Sequence, residues 1–202
     1  PAALAYARAN RLDRVTHGSA VPAAGSLGIV AAGKSWLDVV QALQELGLDA
    51  ARLERIGVAV YKPALIWPLE PEAMTAFARG RAELLFVEEK AAFMEPQAAS
   101  LLYHLSTAER PQLLGKQDAA GAPLFVSDEM LDPVDIALAI AGRLQALGKA
   151  DTALLDRAAR LRAASQAACG RKSGAIARTP YFCSGCPHNT STKVPEGSVA
   201  MS

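Results

Sequence analysis

The chain has no apolar run long enough to cross a bilayer. Its longest runs, such as Leu84-Leu85-Phe86-Val87, fall far short of the roughly 20 residues that a membrane-spanning helix needs, and no charged, apolar, small-residue leader opens the sequence. It also lacks an excess of either charge. Lys plus Arg total 21 against 20 for Asp plus Glu, a formal net charge of +1, which gives nucleic acid or an anionic membrane no electrostatic footprint. Cysteine is scarce and odd in number, with three in 202 residues. Two are crowded into Cys183-Ser184-Gly185-Cys186, which suits metal binding or redox chemistry in a reducing compartment better than a secreted disulfide framework. The expected location is cytoplasmic.

What the chain does have is apolar bulk, 51% hydrophobic residues, enough for one ordinary core and a remnant. From Ser26 to Gly148 short β-type runs alternate with longer segments of helical period, the pattern of a mostly parallel sheet covered by helices on both sides. The expected strands are Leu27 to Ala32, Ile56 to Tyr61, Ala82 to Val87 and Gln112 to Gly115. The first crossover helix carries Trp36, Leu37, Val40, Leu43 and Leu46 and stops at Gly47. A second begins near Pro71, buries Met74, Phe77 and Ala78, and ends at Gly80. A third runs from about Pro96 to Ser106. The fourth has Asp132 as N-cap and Pro133 at its first position, and closes at Gly148. The expected fold class is therefore α/β, a three-layer, mostly parallel sheet with crossover helices. A helical linker and an incomplete final segment follow it. The divisions expected are 1–18 as the tail of a preceding segment, 19–149 as the α/β domain, 150–178 as an Ala/Arg-rich helical linker, and 179–202 as the start of something new.

Gly28-Ile-Val-Ala-Ala-Gly33-Lys34-Ser35 matches the phosphate-loop pattern letter for letter. In a working phosphate loop the strand precedes the first glycine and the four intervening residues wrap the phosphates. Here those four are Ile29, Val30, Ala31 and Ala32, which are strand material, and His17 to Gly25 upstream supplies no strand. The reading favoured is a strand followed by a turn at Gly33 into a helix; the alternative is a nucleotide-binding module using Gly28 to Ser35. Glu88-Glu89 could be offered as a magnesium-holding or acid/base pair, but a solvated or helix-capping role is the better expectation. His17, His104, Trp36 and Trp67 are read as surface or packing residues.

The stronger signal is Tyr181-Phe-Cys183-Ser-Gly-Cys186-Pro-His188. Two thiols separated by two residues can grip one metal centre, because a tight turn aims both sulfurs the same way and Gly185 permits that turn. Such a pair also occurs in zinc sites and redox dithiols. Cys169 and His188 would complete a nominal zinc set, which would make the segment a small zinc-binding interaction module.

Thr179-Pro-Tyr-Phe-Cys-Ser-Gly-Cys-Pro-His-Asn-Thr-Ser-Thr-Lys-Val-Pro-Glu-Gly-Ser198 resembles the opening of the thiamine-diphosphate domain of the long fused indolepyruvate ferredoxin oxidoreductases. Upstream, Leu27 to Val39, Trp67-Pro-Leu-Glu-Pro71 and Phe86-Val-Glu-Glu89 are similar to that family's transketolase-C-terminal-like domain. Nearly the whole chain is covered by the likeness. The resemblance implies oxidative decarboxylation of an aryl 2-oxo acid such as indolepyruvate, with coenzyme A taking the acyl group. Electrons would pass to a [4Fe-4S] cluster and on to ferredoxin or another acceptor. It implies Cys183 and Cys186 as two cluster ligands, and it implies thiamine diphosphate, Mg2+ and the remaining ligands in parts outside this chain. It also implies contact with the enzyme's remaining domains, a homo-oligomer, and a fragment without catalytic residues of its own.

Overall fold

Short buried apolar runs become strands in the computed structural model, which describes residues 2–23, 25–128, 130–170, 182–191 and 193–198. The order is α1 (Ala2–Ala9), β1 (Arg14–His17), β2 (Leu27–Ala31), α2 (Gly33–Glu45), α3 (Ala50–Ile56), β3 (Val58–Lys62), α4 (Pro71–Ala78), β4 (Glu83–Val87), α5 (Met94–Leu102), β5 (Gln112–Leu114), α6 (Pro133–Ala146), α7 (Thr152–Gly170) and α8 (His188–Ser191). Two compact units divide the chain, 1–166 and 167–202.

The first unit is built on a five-stranded sheet of order β1-β3-β2-β4-β5. β3, β2, β4 and β5 are parallel, and β1 adds antiparallel at one edge. From β2 the chain steps to β3 on one side, then crosses back to β4 on the other. Right-handed crossovers in opposite directions put their helices on opposite faces, and the two core clusters follow that division. One face of β2, through Leu27, Ile29 and Ala31, packs with α2, α3, α6 and the start of α7. The other, through Val30, meets Met74, Phe77 and Ala78 of α4 and Met94, Ala98 and Leu102 of α5. The α/β class and the three layers are as expected. β2 and β4 are buried along their whole length, as parallel strands covered on both faces must be.

The helix starts follow local chemistry. Asp132 accepts from Val134 N–H at 2.8 Å ahead of Pro133, as the sequence suggests, and Asp49 accepts from Arg52 N–H at 2.8 Å. Glu70 caps α4 ahead of Pro71, accepting from Ala73 N–H at 2.6 Å. α5 begins at Met94, earlier than the expected Pro96, because Glu88 supplies its cap from outside the helix.

The ends of the first unit differ from the sequence-based division. Residues 14–17 are not a tail: Val15 pairs with Tyr61 in the sheet, and Ala7 of α1 is buried. Asp13 accepts from the Tyr61 hydroxyl, and Arg8 pairs with Glu70 at 2.5 Å and Glu72 at 2.6 Å, which ties α1 to α4. The start of α7 is likewise core rather than linker, since Leu154 and Ala158 are buried among α2 and α6 residues. α3 is an element that the apolar pattern does not announce. Among the described residues no helix is long and apolar enough to cross a membrane.

Candidate functional site

The motif Gly28 to Ser35 is strand, turn and helix in succession. Gly28 lies inside β2, Ala32 is extended, and Gly33 turns with φ +54° into α2. No loop is present to wrap a phosphate, so the nucleotide reading fails on geometry. The first glycine has a packing reason instead. A Cβ on Gly28 would lie 2.5 Å from Leu84 Cδ2, 2.8 Å from Phe77 Cε1 and 2.9 Å from Arg81 Cδ. Arg81 crosses there as a buried cation with no carboxylate partner among the described residues, stacked over Phe77 at 4.2 Å and donating to the carbonyls of Phe77, Ser19 and Ala20. Burial lowers its pKa to about 10.

At the carboxyl ends of β2 and β4, charged groups meet. Lys34 Nζ donates to Asp38 at 2.7 Å and to Glu89 at 3.0 Å, and these bonds raise its pKa. Glu88 is buried and accepts from the amides of Phe93 (3.1 Å), Met94 (2.6 Å) and Glu95 (3.2 Å). The capping role expected for this pair is thus what Glu88 performs, while Glu89 is held by Lys34. Lys116 Nζ donates to the carbonyls of Glu88 (2.7 Å) and Val126 (2.8 Å), and burial lowers its pKa.

In the second unit, Cys183 and Cys186 stand at the two ends of a single tight turn. Cys186 N–H donates to Cys183 O at 3.0 Å, Gly185 takes φ +78°, and Asn189 Nδ2 donates to the same carbonyl at 3.0 Å. Both cysteines are free; Cys183 is exposed and Cys186 partly so. His188 stacks on Phe182 at 5.1 Å between ring centroids, and its Nδ1 lies 3.2 Å from Cys186 Sγ. Two thiols at the ends of a turn that Gly185 makes possible are a donor pair of the kind a soft metal centre uses. Cys169 falls in α7, but its side chain lies outside the described residues, so the proposed zinc set cannot be assembled from them. Among the described residues no group of three or more His, Cys, Asp or Glu could hold a metal ion.

The aromatic residues set aside in the sequence have structural partners. Trp36 Nε1 donates to Thr16 Oγ1 at 3.0 Å and Lys62 Nζ sits 3.8 Å from the ring centroid. His17 Nδ1 lies 3.0 Å from Thr16 Oγ1, and His104 meets Tyr103 edge-on. Sequence reasoning missed the buried pair of Glu83 and Arg143, the pair of Glu70 and Arg8, and the bond of Tyr61 to Asp13. No local spacing signals contacts between residues so far apart in the chain.

Residues 16–168 match the family described as the indolepyruvate oxidoreductase domain. The chain belongs to this family. As a member of the indolepyruvate oxidoreductase domain family it belongs to an enzyme family, and the match spans the sheet from its antiparallel edge strand through α6 and nearly all of α7. Two solved structures are distantly similar. One is a split-gene transketolase in an inactive β4 tetramer, at 15% identity and TM-score 0.43, covering 66% of this chain and 41% of that one. The other is a 2-oxoglutarate:ferredoxin oxidoreductase from Magnetococcus marinus bound to 2-oxoglutarate, coenzyme A and succinyl-CoA. Its identity is 19% and its TM-score 0.41, and the likeness covers 66% of this chain and 20% of that one. The chain thus spans about two fifths of the length of the first and one fifth of the second. No curated protein matches the sequence.

Proposed function

We propose that this chain is an internal part of a thiamine-diphosphate-dependent 2-oxo acid:ferredoxin oxidoreductase of the indolepyruvate type. In this reading the first unit, residues 1–166, forms a noncatalytic α/β scaffold, and 179–202 open the domain that carries the cofactors. The observation that supports it most is the family match over 16–168. A second support is chemical: across the described residues the polar groups at the strand ends are spent on caps and ion pairs, as a packing domain would have them.

Cys183 and Cys186 are the residues we assign to a [4Fe-4S] cluster, as two of its thiolate ligands. Bound there, the cluster would supply one-electron transfer out of the active site toward ferredoxin. The chain's own contribution is positional. Gly185 and the Cys186 N–H bond hold the two sulfurs at the ends of one turn, and Asn189 braces it through the Cys183 carbonyl. The other thiolates, thiamine diphosphate, Mg2+ and the sites for the 2-oxo acid and coenzyme A belong, in this proposal, to polypeptide outside these residues. A cytoplasmic homo-oligomer completes the proposal.

Anaerobic reconstitution with iron and sulfide of the longer polypeptide that includes this chain tests it. The expected product shows a broad thiolate-to-iron absorption band, and Cys183→Ser lowers the bound iron. Iron content unchanged by Cys183→Ser, or one zinc bound in place of the cluster, would refute the assignment.

A further inference from the structure

Cys183 and Cys186 end the same turn, but their surroundings differ. Cys183 is exposed, whereas Cys186 is partly covered and has an imidazole against it. His188 Nδ1 lies 3.2 Å from Cys186 Sγ, within hydrogen-bonding reach of a sulfur.

Three local features hold the ring there. Pro187 stands between the two residues and locks its own φ. The chain then turns at once into α8. Asn189 N–H donates to Cys186 O at 3.0 Å, and the Thr190 and Ser191 amides donate to Pro187 O at 3.0 and 3.2 Å, so the backbone of His188 is pinned beside the thiol turn. Phe182 fixes the ring itself, with the two planes 26° apart and their centroids 5.1 Å apart.

The direction of the bond follows from which partner has a proton to give. A neutral imidazole carries one N–H and one acceptor nitrogen, while a metal-bound thiolate offers only lone pairs. Once Cys186 ligates, Nδ1 is the donor. A ligand role for the ring itself suits the centre less well, because [4Fe-4S] clusters are held by thiolates. Hydrogen bonds to the sulfurs help to set a cluster's reduction potential, and partners behind a ligand fix its orientation. An N–H on a ligand sulfur draws off negative charge, which favours the reduced cluster, the more negative of the two states.

We propose that His188 is a positioning residue for the cluster: its Nδ1–H donates to the Cys186 thiolate and raises the potential at which the cluster accepts an electron. This rests on the assignment of Cys186 as a cluster ligand, and the test separates the two.

The longer polypeptide that includes this chain is reconstituted anaerobically beside two variants. His188→Phe keeps a ring to stack on Phe182 and removes the nitrogen, while His188→Asn places an amide N–H near the position of Nδ1. Iron content is measured first, and the reduction potential is then read by a redox titration followed by electron paramagnetic resonance. Full iron is expected in both variants, with a more negative potential in His188→Phe and a potential close to the parent's in His188→Asn. Equal potentials in the parent and His188→Phe at full iron would overturn the proposal and leave the cluster assignment standing. So would a His188→Asn potential as low as that of His188→Phe, which would take the shift away from the donor. Iron lost from His188→Phe would make the ring a ligand, against the proposal. A parent that binds no cluster overturns both readings, and iron content tells that failure from the others.

Discussion

Removing the Arg143 guanidinium while leaving Glu83 in place isolates what anchors α6 to the sheet. Glu83 opens β4 with 5% exposure, and Arg143 grips its carboxylate with two donors, Nε at 2.9 Å and Nη2 on the other oxygen. Arg143→Met keeps the aliphatic stem and deletes the fork, which leaves a buried carboxylate with no counter-charge. Breaking one partner of a buried pair costs about 3–5 kcal/mol. The Arg143 side chain keeps 19% exposure, so water reaches part of the pair and the lower end, about 3 kcal/mol, is expected. For a chain of this size that corresponds to a melting temperature lower by about 6–12 °C. Chemical denaturation of the parent, Arg143→Met, Glu83→Met and the double variant closes the cycle. The double variant is expected within about 1 kcal/mol of the parent, because apolar replacement of both partners is often neutral. A single-variant loss below about 1 kcal/mol, the range of exposed pairs, would refute the reasoning, as would a double variant no better than Arg143→Met.

Gly28→Ala should destabilise by about 1–3 kcal/mol in thermal melts, since the added carbon would crowd Leu84, Phe77 and Arg81 at once. Glu88→Ala strips three amides of α5 of their acceptor and should cost about 2 kcal/mol by urea denaturation, at the upper end for a lost cap. The Glu70 carboxyl carries a pH signature. Burial pushes its pKa up, but the Ala73 amide and the Arg8 guanidinium outweigh that and hold it below its ordinary 4.5. A depressed carboxyl stabilises the fold above its unfolded pKa and loses that contribution as pH falls through the folded value. The stability gap between the parent and Glu70→Ala should therefore be full above pH 4.5 and close as pH falls below it. A gap that is constant down to strongly acid pH would contradict the pairing.

The central strands were legible because β2 and β4 are buried end to end, so their apolar runs stand out whatever lies around them. β1 was not, because Arg14-Val-Thr-His is an edge strand with no fully buried residue, and its composition is that of a loop. α3 is one short helix with a single fully buried residue, Leu53, too little to show a helical period. Reading Gly28 to Ser35 as strand and turn succeeded for a physical reason: Ile29, Val30 and Ala31 are strand material, and a phosphate needs a loop there. Its glycine was nevertheless explained only in three dimensions, by side chains from Phe77, Arg81 and Leu84 passing over it. The thiol turn was legible from Cys183, Gly185 and Cys186 alone.

The most direct test of the proposed function is iron and sulfide analysis of the anaerobically purified parent polypeptide beside its Cys183→Ser and Cys186→Ser variants. A cluster-bearing parent, with iron and the thiolate-to-iron absorption lost together in both variants, is what two adjacent cluster ligands require. Full cluster occupancy in either variant would contradict it.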